Sequence, residues 1–252
     1  MTESQTEDGN RIDDQNNEGL DLSNPEIQEL LKENSVVARI ITANGQLFEQ
    51  FRPQVDPRKL DEAKYRSALQ IIEAMGLDPL IEGLYNKRGF DDQLGREIER
   101  ARRNNAPLSL IVLDADGFKL INDTCGHLEG DRTIAVMGRR IKESIRMNDI
   151  GAHWGGDEFG IVLPDTTSEE ALAVAFRVLN IIPSAAPDFA TLTASIGVTR
   201  FMEGDNAQSL FERADKGQKA AKEFGKDQIV GIGLGIPVDD LSKEIQGRIT
   251  LL

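Results

Sequence analysis

The chain has 252 residues, of which 39% are hydrophobic and 29% are charged, and its formal net charge is −14. This length and composition are ordinary for a globular protein with one sizeable domain and an appendage. The acidic charge argues against general nucleic-acid binding, although a few local bases suffice for a nucleotide ligand. The single cysteine, Cys125, excludes an intrachain disulfide and fits a reducing compartment.

The negative charge is concentrated at the start of the chain. Residues 1–35 contain ten acidic and two basic residues, which is a net charge of −8. We expect this head to be largely disordered, because it has few large apolar side chains to bury. No apolar run approaches the roughly 20 residues of a membrane span, and Met1 to Asn17 has no apolar signal-peptide core. We therefore expect a cytoplasmic protein without a membrane partner.

Residues 36–76 have the pattern of a hairpin followed by a helix. Two runs of strand-forming residues flank Asn44-Gly45, a dipeptide typical of a two-residue hairpin turn. Apolar residues then recur at helical spacing over about 57–75, after Asp56-Pro57 as N-cap and first-turn proline. This extension could set a dimer contact or dock a protein partner, or it could simply cover the next domain. The pattern leaves these alternatives open.

From Leu77 onward, helical and strand patterns alternate, which predicts an α/β sandwich (α+β) over residues 77–232. We expect a central, mostly antiparallel sheet flanked by helices, and a tail at 233–252. Thr167 and Glu170 have the spacing of a capping box at the start of one helix. Helices are predicted at 86–104, 128–147, 167–179 and 207–224, and strands at 108–113, 150–154, 159–163, 190–199 and 228–232.

Two pairs of carboxylates are candidates for a metal site. Asp114 and Asp116 follow the apolar strand that ends at Leu113, while Asp157 and Glu158 follow two glycines in a turn between two strands. If these strands are neighbours, the acids face one small volume. Carboxylates gathered at strand ends suit Mg²⁺ bound together with phosphates. The same acids could instead be solvated loop residues, and their positions alone do not decide between the two.

The segment Trp154–Phe159 (WGGDEF) resembles the signature of GGDEF domains, the diguanylate cyclases of bacterial signalling. Five further blocks that are similar to blocks of this family follow the same order between about residues 78 and 232. The resemblance therefore covers roughly 155 residues, and it implies a GGDEF, nucleotidyl-cyclase-like fold for 77–232. The further blocks are Asp78–Phe90, Asp114–Asp123, Gly126–Asp131, Ala194–Val198, and Ala214-Asp215 with Ala221-Lys222.

By this resemblance, the domain condenses two GTP into cyclic di-GMP and two pyrophosphates, with one GTP held by each subunit of an antiparallel homodimer. The metal ligands carried over are Asp114, the backbone carbonyl of Ala115, Asp157 and Glu158. The implied ion is Mg²⁺, with Mn²⁺ as an alternative. Asp157 and Glu158 are also the catalytic candidates for base toward the 3′-hydroxyl, and the sequence does not choose between them.

The resemblance also carries over residues that bind the nucleotide. Asn122 and Asp131 read the guanine edge, since a carboxylate that accepts from ring N–H and amino groups prefers guanine. The two glycines of the turn let the backbone approach the phosphates. Lys119, Lys222 and Lys226 are candidate phosphate contacts; alternatively, they are solvated surface charges. The full implied set is Phe118, Lys119, Asn122, His127, Asp131, Gly155, Gly156, Lys222 and Lys226.

The segment Arg146–Asp149 matches the family's RxxD inhibitory site and lies shortly before Gly155. It implies that cyclic di-GMP is an inhibitor as well as the product, bound by Arg146 and Asp149. A simple ion pair at a helix end is the alternative. The family often has an arginine where this chain has His153, so we expect a weaker inhibitory site.

Several residues near the nucleotide blocks depart from the family pattern. These departures put turnover and triphosphate affinity in doubt more than the chemistry. The alternative function is a catalytically weak GGDEF module that senses GTP or cyclic di-GMP or acts as a scaffold; a third hypothesis, a cyclase that makes a different dinucleotide, is disfavoured by Asp131. The departures are Glu82 for threonine, Gln218 for an apolar residue, Lys219 for tyrosine, and Lys226-Asp227 for Arg-Asn.

Overall fold

The computed structural model describes residues 73–186, 192–237 and 247–252. The predicted acidic head, the predicted hairpin and most of the predicted helix at 57–75 lie outside these described residues. Within the described ranges, no helix is long and apolar enough to cross a membrane.

The centre of the fold is a six-stranded sheet with the strand order β2-β3-β1-β4-β5-β6. The pairings β2–β3, β3–β1 and β1–β4 are antiparallel, whereas β4–β5 and β5–β6 are parallel. The predicted mixed fold with a mostly antiparallel sheet is therefore confirmed. The strands are β1 (Leu108–Asp116), β2 (Ile150–Gly155), β3 (Glu158–Pro164), β4 (Thr193–Arg200), β5 (Gln228–Ile232) and β6 (Ile249–Leu251).

Five helices flank the sheet in the described ranges. The fourth of them begins with the expected capping box, in which Thr167 accepts from the backbone of Glu170 and Glu170 accepts from that of Thr167. A short 3₁₀ helix, Ile182–Ala185, follows it directly. The helices are α1 (Lys87–Asn104), α2 (Phe118–Cys125), α3 (His127–Ser144), α4 (Ser168–Ile181) and α5 (Ala207–Glu223).

Strand β1 lies in the middle of the sheet and is buried at all nine positions. Its side chains alternate between two apolar layers, because successive residues of a strand face opposite sides. Leu110 and Val112 belong to the layer that contains α1 and α5, whereas Ile111 and Leu113 belong to the layer that contains α3 and α4. By the same alternation, Asp114 faces the side of α5.

Helix α5 packs closely against β4. A Cβ atom built on Gly197 would lie 1.9 Å from the carbonyl oxygen of Ala214 and 2.4 Å from the backbone nitrogen of Gln218. Only glycine permits this approach of helix to strand. The packing fixes the last turn of α5, which carries Lys222, over the end of β1.

The chain that precedes α1 packs against β2. Leu77 and Tyr85 form an isolated antiparallel bridge, and Tyr85 forms a parallel one with Ala152. The backbone carbonyl of Tyr85 also accepts from the backbone nitrogen of His153 at 2.9 Å. These contacts hold the start of the domain beside the strand that leads into the Gly-Gly turn.

The structure differs from the sequence predictions at several points. Strand β1 continues beyond the predicted end at Leu113 because its pairing with β4 extends to Asp116 and Thr193. Helix α3 ends at Ser144 rather than at 147, where Ile145 becomes extended. Helix α2 was not predicted; it is only eight residues long and is enclosed by two glycines. In addition, three residues of the predicted tail form β6.

Candidate active site at the end of the central strands

The two acidic clusters lie together at one end of β1 and β3. Asp114 is the register partner of Glu158 across these antiparallel strands. The backbone nitrogen of Ala115 donates to the carbonyl oxygen of Asp157 at 3.0 Å. The structure therefore brings together acids that lie far apart in the sequence.

The turn between β2 and β3 depends on its two glycines. Gly155 has φ 117° and Gly156 has φ 61°, both in a region that side-chain-bearing residues rarely adopt. The space around both positions is open, since nothing lies within 4 Å of a Cβ built there. The glycines are thus required by backbone conformation rather than by packing, and they leave the turn accessible to a ligand.

Asp114 is a buried carboxylate, 7% exposed, whose Oδ2 lies 2.7 Å from Nζ of Lys222. Burial raises the pKa of Asp114 to about 6, and the nearby charge of Asp157 contributes to the rise, while the Lys222 ammonium opposes both. One ammonium group therefore does not fully offset the free-energy cost of keeping these buried, neighbouring carboxylates ionised. A cation of higher charge would relieve that cost.

The donor set fits a hard divalent cation that is bound together with substrate. No group of three or more His, Cys, Asp or Glu in the described ranges could hold a metal by itself. Mg²⁺ usually takes only one or two carboxylates and completes its shell with phosphates and water. Asp114 and Asp157 match that pattern. The Lys222 ammonium lies on the Asp114 carboxylate, where a metal ion would bind.

Asp116 differs from its neighbour Asp114. It is buried, and its carboxylate accepts from the hydroxyls of Ser195 at 2.8 Å and Thr193 at 2.9 Å and from the backbone of Asp227 at 3.1 Å. These bonds occupy both oxygens. Asp116 therefore ties β1 to β4 and to the loop before β5, and does not take part in the open acidic cluster.

Glu158 is exposed and accepts a hydrogen bond from Nε1 of Trp154 at 3.1 Å. Trp154 packs against the rings of Phe90 and Phe211, with centroid distances of 5.0 and 5.7 Å. The tryptophan thus holds the Glu158 carboxylate from the α1 and α5 side. No role for Trp154 beyond its place in the motif was predicted, although it is the chain's one tryptophan.

The predicted guanine contacts lie on two adjoining helices. A Cβ atom on Gly130 would lie 1.9 Å from Oδ1 of Asn122 and 3.2 Å from the ring of Phe118, so α3 contacts α2 at this glycine. Asn122 is half-buried, and Asp131, the residue after Gly130, is exposed. His127, also exposed, is the first residue of α3. Asn122 and Asp131 therefore border one open surface.

The candidate phosphate lysines occupy three positions. Lys222 lies in the last turn of α5 and contacts Asp114. Lys226 lies in the loop that follows, with φ 67°. Lys119 is exposed on α2. Lys219, one of the departures from the family pattern, is exposed on α5 and pairs with Asp215 at 2.5 Å.

The Arg146–Asp149 segment forms a turn after α3. Asp149 is buried and accepts from the backbone nitrogen of Arg146 at 2.7 Å. Burial raises the pKa of the Asp149 carboxyl, while Arg146, Arg177 and Lys142 oppose that rise. The Arg146 side chain is exposed and lies 3.9 Å from Glu170. Arg177, which was not predicted from the sequence, reaches this turn from α4 and donates to the carbonyl of Ser144 at 2.8 Å.

His153 contacts the acidic turn itself. Its Nδ1 lies 2.7 Å from Oδ2 of Asp78, and its Nε2 lies 3.2 Å from the carbonyl oxygen of Gly156. The ring is buried and packs against Phe159. The sequence indicates for His153 only that it replaces an arginine of the family's inhibitory site, whereas these contacts join the start of the domain to the Gly155-Gly156 turn.

Comparisons with known proteins point to one family. Residues 77–228 match the family described as diguanylate cyclase, GGDEF domain. The response regulator PleD of Caulobacter vibrioides is 31% identical over 206 residues, which are 79% of this chain but 45% of PleD. The chain thus spans less than half the length of that curated relative.

Two solved structures are similar as well. Diguanylate cyclase SiaD of Pseudomonas aeruginosa, in complex with its activator SiaC, is 34% identical with a TM-score of 0.57, over 68% of this chain and 66% of that one. The GGDEF domain of DgcB from Caulobacter crescentus, in complex with c-di-GMP, is 29% identical with a TM-score of 0.55, over 62% and 95%. The chain belongs to the diguanylate cyclase GGDEF-domain family.

Proposed function

We propose that residues 77–232 form a diguanylate cyclase domain that condenses two GTP into cyclic di-GMP and two pyrophosphates. The observation that carries this proposal is the contact of Asp114 with Lys222 beside the Gly155-Gly156 turn and Asp157. It combines carboxylates for a metal, a lysine for phosphate and an open backbone in one place. The curated and structural relatives named as diguanylate cyclases support it.

The proposed metal is Mg²⁺, held by Asp114, the carbonyl of Ala115 and Asp157, with Glu158 in support. When bound, it would neutralise charge at the α-phosphate and lower the pKa of the attacking 3′-hydroxyl. The 3′-oxygen of each GTP attacks the α-phosphorus of the other, and the bond between the α- and β-phosphates breaks to release pyrophosphate. Asp157 or Glu158 takes the proton of the hydroxyl.

The remaining residues bind and orient GTP. Lys222, whose Nζ lies 2.7 Å from Oδ2 of Asp114, would be available to the triphosphate if a bound divalent cation took over the neutralisation of that carboxylate. Lys226 extends the positive charge along the phosphates. At the surface between α2 and α3, the Asp131 carboxylate accepts from the guanine edge, and the Asn122 carboxamide can both donate and accept.

A homodimer follows from the stoichiometry of the proposed reaction. Each domain has one such acidic turn, and the two bonds formed are chemically identical, so two domains must face each other across a two-fold axis. We propose that residues 1–76 control this approach, either by setting the dimer contact or by docking a partner protein. The structure of SiaD with its activator gives a precedent for a protein partner in a related cyclase.

We further propose that cyclic di-GMP inhibits the enzyme through Arg146 and Asp149. Support comes from the exposed Arg146 guanidinium and from the convergence of Arg177 and Lys142 on Asp149. Guanidinium groups offer paired donors to phosphate or to the guanine edge. The related DgcB domain was crystallised with c-di-GMP.

The second candidate function is a weakly catalytic module that senses GTP or cyclic di-GMP. It is favoured by the departures on and after α5, where Lys219 and the Lys226-Asp227 pair alter the surroundings of the phosphate lysine. Both functions use the same nucleotide surface. They differ in whether a bond is formed.

Incubation of the purified protein with Mg²⁺ and GTP, followed by chromatographic separation of the products, distinguishes the two. We expect cyclic di-GMP and pyrophosphate from the parent protein and none from Asp157→Ala. Glu203→Ala removes an exposed acid far from the turn and serves as the matched control, with product retained. Binding of a non-hydrolysable GTP analogue without any product at high protein concentration would favour the sensor. Product from Asp157→Ala would show that the site is assigned wrongly.

A further inference from the structure

The loop between α5 and β5 has an unusual backbone. Three consecutive residues have positive φ: Gly225 at 118°, Lys226 at 67° and Asp227 at 50°. For residues with side chains this conformation is costly, and it persists only where surrounding contacts impose it. Because this loop carries Lys226 and directly follows the helix that carries Lys222, whatever imposes its shape also places the proposed phosphate contacts.

Contacts from two sides impose this backbone conformation on the loop. On one side, the backbone nitrogen of Asp227 donates to the buried carboxylate of Asp116 at 3.1 Å. On the other, Nε of Arg248 donates to the carbonyl oxygen of Asp227 at 3.2 Å, and Nη2 of Arg248 pairs with its Oδ1. The guanidinium also bonds Asn180 of α4 at 3.0 Å. Asp227 is thus clamped between the central strand and Arg248.

Strand β6 places Arg248. The backbone nitrogen of Ile229 donates to the carbonyl oxygen of Arg248 at 2.9 Å, and Ile249 pairs in register with Ile229. The Arg248 side chain is therefore delivered by a parallel strand on the sheet edge, 21 residues beyond its partner Asp227. The segment treated as a tail from the sequence is continuous with the wall of the candidate site.

Arg248 also neutralises a negative charge in this loop. Asp227 stands where the family usually has asparagine, so this chain has an additional carboxylate close to the proposed triphosphate position. Lys222 neutralises Asp114, and Arg248 neutralises Asp227. Without Arg248, the Asp227 charge would repel the phosphates that Lys226 is proposed to attract.

We propose that Arg248 is a positioning residue for GTP: it holds the Lys226–Asp227 loop in its left-handed conformation and cancels the Asp227 charge. The inference rests on the proposed function, in which Lys222 and Lys226 contact the triphosphate. It assigns to the β6 segment a role in substrate affinity rather than in the chemical step.

The test uses four variants of the full chain: Arg248→Met, Arg248→Lys, Asp227→Asn and the double variant Arg248→Met/Asp227→Asn. We expect Arg248→Met to raise the KM for GTP about tenfold, the effect of losing one charge-assisted contact, with a much smaller change in kcat. Arg248→Lys should recover part of the loss. In the double variant, KM should return toward the parent value, because the amide that replaces the Asp227 carboxylate has no charge that needs neutralising.

The control is Arg140→Met, which removes an exposed guanidinium from α3, 4.0 Å from Glu143 and outside the proposed site. Its KM for GTP should match the parent. An unchanged KM in Arg248→Met would overturn the positioning role, even if the melting temperature fell. A double variant whose KM is as high as that of Arg248→Met would overturn the cancellation of the Asp227 charge.

The dissociation constant of a non-hydrolysable GTP analogue separates this inference from the proposed function. If the parent protein binds the analogue and Arg248→Met binds it equally well, only the role of Arg248 is wrong. If the parent does not bind it, the proposed function fails and this inference fails with it. Weaker binding by Arg248→Met that Asp227→Asn restores supports the inference, whether or not cyclic di-GMP is formed.

Discussion

His153 and Asp78 form a buried pair, with Nδ1 of the imidazole 2.7 Å from Oδ2 of the carboxylate. On its other side, Nε2 of His153 faces the carbonyl oxygen of Gly156 at 3.2 Å. A carboxylate and a carbonyl can only accept, so both ring nitrogens donate only when the imidazole is protonated. Asp78 is itself held by the backbone nitrogens of Leu80 and Ile81. A protonated ring thus links the start of the domain to the Gly155-Gly156 turn.

This link predicts a pH-dependent stability. Burial lowers the pKa of His153, but the bond to Asp78, the Gly156 carbonyl and the charge of Asp157 outweigh it, so the pKa is raised above 6.5. A raised folded-state pKa gives stabilisation that is full below the unfolded pKa and is lost as pH rises through the folded pKa. We expect the free energy of unfolding, measured by urea titration between about pH 6 and pH 8, to fall as pH rises.

The chain has only two histidines, which provides a matched control. His153→Leu should lower stability at the acidic end of that range and remove the decline toward its basic end. His127→Leu, at an exposed position, should keep that decline. A His153→Leu protein with the same pH slope as the parent would show that another group is responsible.

Replacement of Asp114 and of Asp116 by asparagine is predicted to change the stability of the protein in opposite directions. The pKa of Asp114 is raised by burial to about 6, so its charge costs stability increasingly as pH rises through that value. Asp114→Asn should therefore stabilise the metal-free protein at about pH 8 by about 1 kcal/mol, the loss of the Lys222 contact included, and should abolish cyclase activity.

Asp116→Asn is the paired comparison. The Asp116 carboxylate accepts three hydrogen bonds. An amide oxygen can keep two of them, but the amide NH2 group forces the buried Ser195 hydroxyl to reverse its bond, so Asp116→Asn should be destabilised by about 1–3 kcal/mol. Thermal unfolding of both variants in a chelator at the same pH gives the comparison. Destabilisation by Asp114→Asn would mean that the Lys222 contact outweighs the burial of the charge.

The proposed product inhibition depends on the residues that surround the turn after α3. Arg146→Ala and Arg177→Ala should each weaken inhibition by cyclic di-GMP about tenfold or more, because each removes a positive charge near Asp149 that could bind the product. The measurement is the cyclic di-GMP concentration that halves the initial rate. Arg140→Ala should leave this concentration unchanged. If Arg177→Ala also left it unchanged, the product would contact only the Arg146–Asp149 turn.

Sequence prediction succeeded where the determining interactions are local. The capping box of Thr167 and Glu170 lies within one helical turn, and the Gly155-Gly156 turn is set by the backbone freedom of its own residues. The contacts that were missed join distant segments: Arg177 reaches residues near Ser144, and Arg248 reaches Asp227. Strand β6 has only three residues, too few for a periodic pattern, and is defined by its pairing with β5.

Gln218 is a departure from the family pattern with a measurable cost. It is 5% exposed on α5, and its Nε2 has no hydrogen-bond partner among the residues that the structure describes. An unpaired buried amide costs about 1–3 kcal/mol, so Gln218→Leu, which restores an apolar residue, should raise the free energy of unfolding by about 1–2 kcal/mol. For a domain of this size the melting temperature should rise by about 2–8 °C.

Gln208→Leu, on the exposed first turn of the same helix, should change stability by less than about 0.5 kcal/mol. A destabilised Gln218→Leu protein would show that the amide has a partner, and a loss of GTP affinity in that variant would identify the nucleotide as that partner.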